Sequence, residues 1–131
     1  AGDRAKLLVF RPLGADEDAT DARFLRRVHS AINANLARDD FGVEELAEAV
    51  HTSRIHLYRR LRDLCGKSPS DLIMDSRLEA AAELLGSETG SISEVAYGVG
   101  FKSVSHFARR FRNKFEMTPT AFRADASQKA K

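Results

Sequence analysis

One segment of this chain occurs twice, and that duplication limits the possible folds more than any feature of composition. Residues 53–69 read SRIHLYRRLRDLCGKSP, and residues 103–119 read SVSHFARRFRNKFEMTP. Six positions are identical: Ser53/Ser103, His56/His106, Arg59/Arg109, Arg60/Arg110, Arg62/Arg112 and Pro69/Pro119. Leu57, Leu61 and Leu64 fall on one helical face of the first copy, as Phe107, Phe111 and Phe115 roughly do in the second, while most arginines point elsewhere. Each copy therefore predicts a helix that buries an apolar stripe and exposes a cationic one. Solenoids need three or more repeats to bury a continuous core, so two copies imply a duplicated module and not an array.

Charge follows the same division. Residues 51–67 hold Arg54, Arg59, Arg60, Arg62 and Lys67 against Asp63, and residues 101–117 hold Lys102, Arg109, Arg110, Arg112 and Lys114 against Glu116, a net +4 in each. The whole chain carries only +2, which leaves −6 for the remainder. Two basic helices on an acidic scaffold are the electrostatic footprint of a polyanion binder; the bland alternative is a pair of solvated helix faces.

The 131 residues suffice for one ordinary domain or two small subdomains sharing an element. No apolar run reaches the roughly 18 residues of a membrane span and no signal-peptide pattern opens the sequence, so an intracellular, cytoplasmic location with no membrane partner is expected. The first residue is Ala and not Met, which suggests a piece of a longer protein whose sensory or dimerisation domain lies upstream. The single cysteine, Cys65, cannot form an internal disulfide; in the slot that Phe115 fills in the other copy, it reads as a small buried hydrophobe before a reactive thiol.

Taken in order, residues 1–20 combine a short apolar run, a break at Pro12 and Gly14 and the acids Asp16, Glu17 and Asp18, and read as a linker or arm. Phe24, Val28, Ile32 and Leu36 predict a helix from Ala22 to about Ala37, capped by Thr20 or Asp21. A short helix from Val43 to Val50 follows, with Gly42 as cap, Phe41 and Leu46 placed as a hydrophobic staple, and Leu46, Ala47 and Val50 facing inward. A tight turn then reaches Ser53, whose hydroxyl can cap the first basic helix, at about residues 54–64. Short helix, three-to-four-residue turn, basic helix: this is the helix-turn-helix pattern. It recurs with Ser91 and Glu94 as a capping box, Val95, Ala96 and Val99 inward, and a turn one residue longer before the second basic helix, at about residues 104–115.

Between the units, Pro69 starts a helix with Leu78, Ala81, Ala82 and Leu85 on one face, ended by Gly86 and spanning roughly 24 Å, long enough to act as a strut between two reading heads. A last short helix starts at Thr118-Pro119, and the end reads as a frayed tail. The expected fold is all-α with about seven helices: a first subdomain over 21–67, a linker helix over 68–86, a second subdomain over 87–124 and a tail over 125–131.

On the first basic helix, Ile55, Tyr58, Arg59 and Arg62 share the face opposite the leucines. An isoleucine and a tyrosine there have a use in a major groove, where apolar groups meet thymine methyls and arginine binds guanine O6 and N7. The alternative is packing against the N-terminal segment. Ser105, Ala108, Arg109 and Arg112 form the equivalent, less apolar face of the second helix, which implies a different half-sequence. Arg54, Lys67, Lys102 and Lys114, with Arg62 and Arg112, suit phosphates, as do the free amides behind Ser53 and Ser103.

The run VEELAEAVHTSRIHLYRRLRDLCGKSP, then RLEAAAELL, then ISEVAYGVGFKSVSHFARRFRNKF and TPTAFR resembles the DNA-binding domain of AraC/XylS-family transcription regulators over about residues 21–124. The resemblance implies two helix-turn-helix units joined by a linker helix, successive major-groove segments on one face of double-stranded DNA, RNA polymerase as a further partner, no cofactor, and base-contacting roles for Ile55, Tyr58, Arg59, Ser105, Ala108 and Arg109. The opening FLRRVHSAINANLARDDFGVEELA resembles output domains of hybrid two-component regulators. Two departures stand out: Glu116 where the family usually has Gly, at a cost of roughly 1 kcal/mol if the backbone is left-handed, and Gly42 in place of a Ser or Thr cap.

Enzyme readings find no convergent site. Gly66-Lys67-Ser68 lacks the first glycine of a phosphate loop, and Gly98 and Gly100 are explained by helix termination. His29, His51, His56 and His106 lack metal-ligand spacing. The competing non-catalytic reading is a helical protein-interaction module, whose binding would be insensitive to salt, unlike groove binding.

Overall fold

The computed structural model describes residues 15–87 and 90–129 and forms them into seven helices with no strand among the described residues. The chain divides into two units. Residues 15–34 and Gly42–Leu72 make one; Asn35–Phe41 and residues 73–129 make the other.

In the first unit, α1 (Ala15–Ala34) buries Phe24, Leu25, Val28 and Ile32. It begins seven residues before the expected start, so residues 15–20 are helical and not part of an arm, while residues 1–14 lie outside the described residues. The sequence there is acidic, and negative charge near a helix start is favoured by the helix dipole. Thr20 and Asp21 are therefore interior positions and not caps, and the helix stops at Ala34, short of Ala37.

The next helix, α2 (Val43–Ala49), packs on α1 and on α3 (Arg54–Cys65). Gly42 has no side chain to cap with, but its N–H donates to the Glu45 carboxylate at 2.8 Å, which supplies the other half of a capping box. The turn after α2 is a Schellman closure: His51 N–H donates to Glu48 O at 3.1 Å and Thr52 N–H to Ala47 O at 2.9 Å, with His51 left-handed at φ 58°. Ser53 Oγ then accepts the His56 N–H at 3.1 Å and starts α3, which buries Leu57, Leu61 and Leu64 and ends at left-handed Gly66.

The second unit is built around α4 (Pro69–Gly86), α5 (Ile92–Gly98), α6 (Val104–Phe115) and α7 (Pro119–Lys129). Pro69 and Ser68, whose Oγ accepts the Asp71 N–H at 3.1 Å, open α4. The division between units falls inside this helix, between Leu72 and Ile73, so it contributes residues to both. Leu78, Ala81 and Leu85 join Val95, Ala96, Val99, Phe101, Phe107 and Phe111 in one core cluster.

The expected capping box closes at both ends: Ser91 Oγ accepts the Glu94 N–H at 3.1 Å and Glu94 Oε1 accepts the Ser91 N–H at 2.8 Å. The second Schellman closure has Gly100 at φ 96° and runs one residue longer to its cap, Ser103, whose Oγ accepts the His106 N–H at 3.0 Å. Phe111 is the hub of an aromatic cluster, with ring centroids 5.6 Å from Phe107, 4.6 Å from Phe115 and 5.3 Å from Phe122. Such pairs add about 0.5–1.5 kcal/mol each beyond area burial.

Helix α6 ends at Glu116 with φ 59° and ψ 23°, so the left-handed cap is kept without the usual glycine. The tail is a second correction: α7 continues to Lys129, opened by Thr118 Oγ1 accepting the Ala121 N–H at 3.1 Å and supported near its end by an Asp125–Lys129 pair at 3.1 Å.

Candidate nucleic-acid interface

The apolar face of α3 is fully spent on the core, with Leu57 and Leu61 at 0% exposure, and this fixes which side chains face outward. Ile55 stands 72% exposed, Arg59 and Arg62 are exposed, and Tyr58 is half-buried. Together with Asp63 they line a shallow groove on the outer face of the helix. The alternative for Ile55, packing against the N-terminal segment, involves residues 1–14, which lie outside the described residues. A β-branched apolar side chain left in water beside two guanidinium groups has the composition of a surface that meets base edges in a major groove.

Arg60, on the same helix, is used differently. Arg60 lies 4.0 Å from the centroid of the Phe24 ring and 3.4 Å from Asp21 Oδ1, tying α3 to α1. Its partly buried cation–π contact and ion pair make it a structural member of the unit. Arg27 Nη2 donates to Val50 O at 2.8 Å, so α1 also holds the turn that leads into α3.

In the second unit, Phe107 and Phe111 are buried at 0% exposure, which turns Ser105, Arg109 and Arg112 outward, with Ala108 half-buried beside them. Lys102 and the cap Ser103 are exposed at the helix start, as Ser53 and Arg54 are in the first unit. Each capping Oγ accepts from the helix and can still donate its own proton to a phosphate oxygen.

Arg54 and Lys114, both expected at phosphates, form ion pairs within the fold. Arg54 pairs with Glu44 at 3.2 Å, but both side chains are well exposed, and such surface pairs are worth at most about 1 kcal/mol and exchange readily for a phosphate. Lys114 is different. Its Nζ lies 3.6 Å from Asp75 on α4 and 5.6 Å from the Phe115 ring, with the side chain only 26% exposed. The repeat carried the signal, since Lys114 occupies the slot of buried Leu64; its ammonium snorkels out of a core position. Lys114 is therefore held within the second unit, whereas Ser53, Arg54, Arg62, Lys67, Lys102, Ser103 and Arg112, the other residues expected at phosphates, are exposed.

Cys65, at the end of α3, is half-buried, and its thiol donates to Leu61 O at 3.3 Å. Burial raises its pKa, opposed by the backbone N–H and the charge of Lys67. It packs as a small hydrophobe.

A helix-turn-helix domain family matches residues 46–125. A solved AraC-type transcriptional regulator from Chromobacterium violaceum matches with a TM-score of 0.76 and 31% identity over 84% of this chain and 97% of that one. The chain belongs to the AraC family of helix-turn-helix DNA-binding domains. The AraC-type domain is also similar to that of AdpA, solved in complex with a target DNA, at TM-score 0.72 and 31% identity over 81% of this chain and 94% of that one. Among curated relatives, histidine kinase P4 of Formosa agariphila is 30% identical over 102 residues, 78% of this chain but only 7% of that protein's length.

Motif reading in this AraC-type domain missed two arginines that bond to turns between helices. Arg27 and Arg77 stand 50 positions apart, the spacing of the repeat itself, and both donate to backbone carbonyls. Extending the repeat backwards from the basic helices would have found them. Tyr97, 54% exposed on α5, was also not singled out; it and Ile55 are the large hydrophobic side chains left outward among the described residues.

Proposed function

We propose that this domain is the DNA-binding output module of a transcription regulator, placing α3 and α6 into successive major-groove segments of one duplex. Ile55, Tyr58 and Arg59 read bases from α3, and Ser105, Ala108 and Arg109 read them from α6. Arginines bind guanine edges bidentately and Ile55 covers a thymine methyl. Lys67, Lys102, Arg54, Arg62, Arg112 and the hydroxyls of Ser53 and Ser103 take phosphates, which set register and carry little sequence information.

The observation that supports this most is the exposed Ile55 flanked by arginines on a helix whose other face is completely buried. Similarity to a domain solved on its target DNA agrees with it. The intact protein is proposed to act in the cytoplasm, to carry sensory or dimerisation segments beyond this domain, in the manner of a two-component regulator, and to act on RNA polymerase.

Selection of bound sequences from random duplexes, then footprinting at several ionic strengths, tests the reading. A selected motif with two unlike halves and an affinity falling steeply with salt is expected. Binding that ignores both sequence and salt would refute it.

A further inference from the structure

Arg77 is almost wholly buried, and three segments of the second unit meet on it. It is 8% exposed. Its Nη2 donates to Arg38 O at 2.8 Å and to Phe41 O at 3.3 Å, holding both ends of the 38–41 turn. Its Nε is buried with no hydrogen-bond partner, because the guanidinium edge lies against Gly100: a Cβ built there would stand 2.9 Å from Nε and 3.1 Å from Cζ. The same Cβ would stand within 2.2 Å of Leu36 O.

Gly100 is the left-handed residue of the Schellman closure that ends α5 and launches α6, three residues before its Ser103 cap. The turn that aims the second reading helix thus rests on a platform made of one guanidinium and the carbonyls of Asn35–Phe41. Arg27 does a related task in the first unit, by the single bond to Val50 O.

We infer that Arg77 is a positioning residue for α6: it sets the angle at which Ser105, Ala108 and Arg109 are presented, without touching DNA itself. This rests on the DNA-reading role proposed above. A residue held away from the surface can alter binding only through the geometry or the stability of the unit, and the two are separable. One nitrogen, Nη2, reaches both carbonyls while the edge of the same rigid plane lies against Gly100, and lysine's flexible stem and compact ammonium do not reproduce that plane, so Arg77→Lys is not a neutral exchange here.

The test uses the 131-residue chain, a duplex selected by it from a random pool, and two derivatives with one half of the motif scrambled. Arg77→Met is expected to weaken binding to the intact duplex about tenfold or more, yet leave unchanged the binding to the duplex whose α6 half is scrambled. Arg77→Lys should fall between. These comparisons are made well below each variant's unfolding temperature. In the free protein, the amide resonances of Gly100, Phe101 and the first turn of α6 should shift in Arg77→Met, while those of Thr52, Ser53 and α3 stay in place.

Equal losses on both scrambled duplexes, or unmoved Gly100 and α6 amides in a folded variant, would overturn the inference. Should the unaltered chain select no duplex at all, the DNA-reading role fails and the inference, which rests on it, falls with it; shifted amides would then leave Arg77 as a support of the Gly100 turn alone.

Discussion

Replacing Ile55 by alanine separates a reading residue from a packing residue. In the free domain this side chain is 72% exposed, so its truncation removes almost no buried contact and should move folding stability by less than about 0.5 kcal/mol. Three carbons are lost. At about 0.8 kcal/mol per CH₂ taken out of water, a side chain that becomes covered by a groove loses about 2 kcal/mol of binding, roughly thirtyfold in Kd. No charge changes, so the slope of log Kd against log salt concentration should stay as it is. Fluorescence anisotropy on a selected duplex across a salt series, beside thermal unfolding of the same variant, measures both. A fall in melting temperature with unchanged affinity would mean that Ile55 packs on protein, and the groove reading of α3 would be wrong.

Arg59→Ala and Arg109→Ala should each cost about 1–3 kcal/mol on the selected duplex and relax preference at one base, read by repeating the selection with each variant. Lys102→Ala, by contrast, should weaken all sequences alike and flatten the salt slope by about one unit, a result that base-specific loss would contradict. Glu116→Gly and His51→Gly relieve left-handed backbones at φ 59° and φ 58°, and each should raise stability by up to about 1 kcal/mol, checked by chemical denaturation; a loss would show that the side chain does more than occupy the turn. The Glu94 carboxyl is held below its ordinary pKa of 4.5 by the backbone N–H and then the hydroxyl of Ser91, so its contribution is present above that pH and lost as pH falls through the lowered value. Melting temperature should therefore drop less on acidification below pH 4.5 in Glu94→Gln than in the unaltered chain.

Much of the architecture was legible because the residues that end helices are local. Ser53, Ser91, Ser103 and Pro69 act within three or four positions of themselves, and all cap or start helices where their spacing put them. The outward faces of α3 and α6 were legible for a related reason: once Leu57, Leu61, Phe107 and Phe111 are assigned inward, the period of the helix leaves no choice for the arginines. The failures were of other kinds. At both ends, polar runs such as those around Asp16 and Asp125 were read as unstructured, where dipole and i,i+4 charge pairing favour helix. The Lys114–Asp75 ion pair was not foreseen either, though Lys114 stands in the register of buried Leu64. Arg77 could not be assigned by any local rule, because its partners lie 36 and 39 residues away in the chain.

The two units share more than their basic helices, and what they do not share bears on function. Both begin with a long helix carrying an arginine that donates to the backbone of a turn, both close the short helix by the same pair of backbone bonds, and both cap the basic helix with a serine. These are the positions that fix where a helix starts and which way it faces. The outward faces have diverged: Ile55 and Tyr58 beside Asp63 in one, Ser105 and Ala108 beside Asn113 in the other, with only the arginines in common. A common frame with unlike faces presents two different sets of methyl contacts and hydrogen bonds to DNA, so one chain should prefer a site whose halves differ. Exchanging Ile55 and Tyr58 for the serine and alanine of the second unit should convert the selected motif toward two like halves; a motif that keeps its asymmetry would show that the frame, and not the face, sets the sequence read.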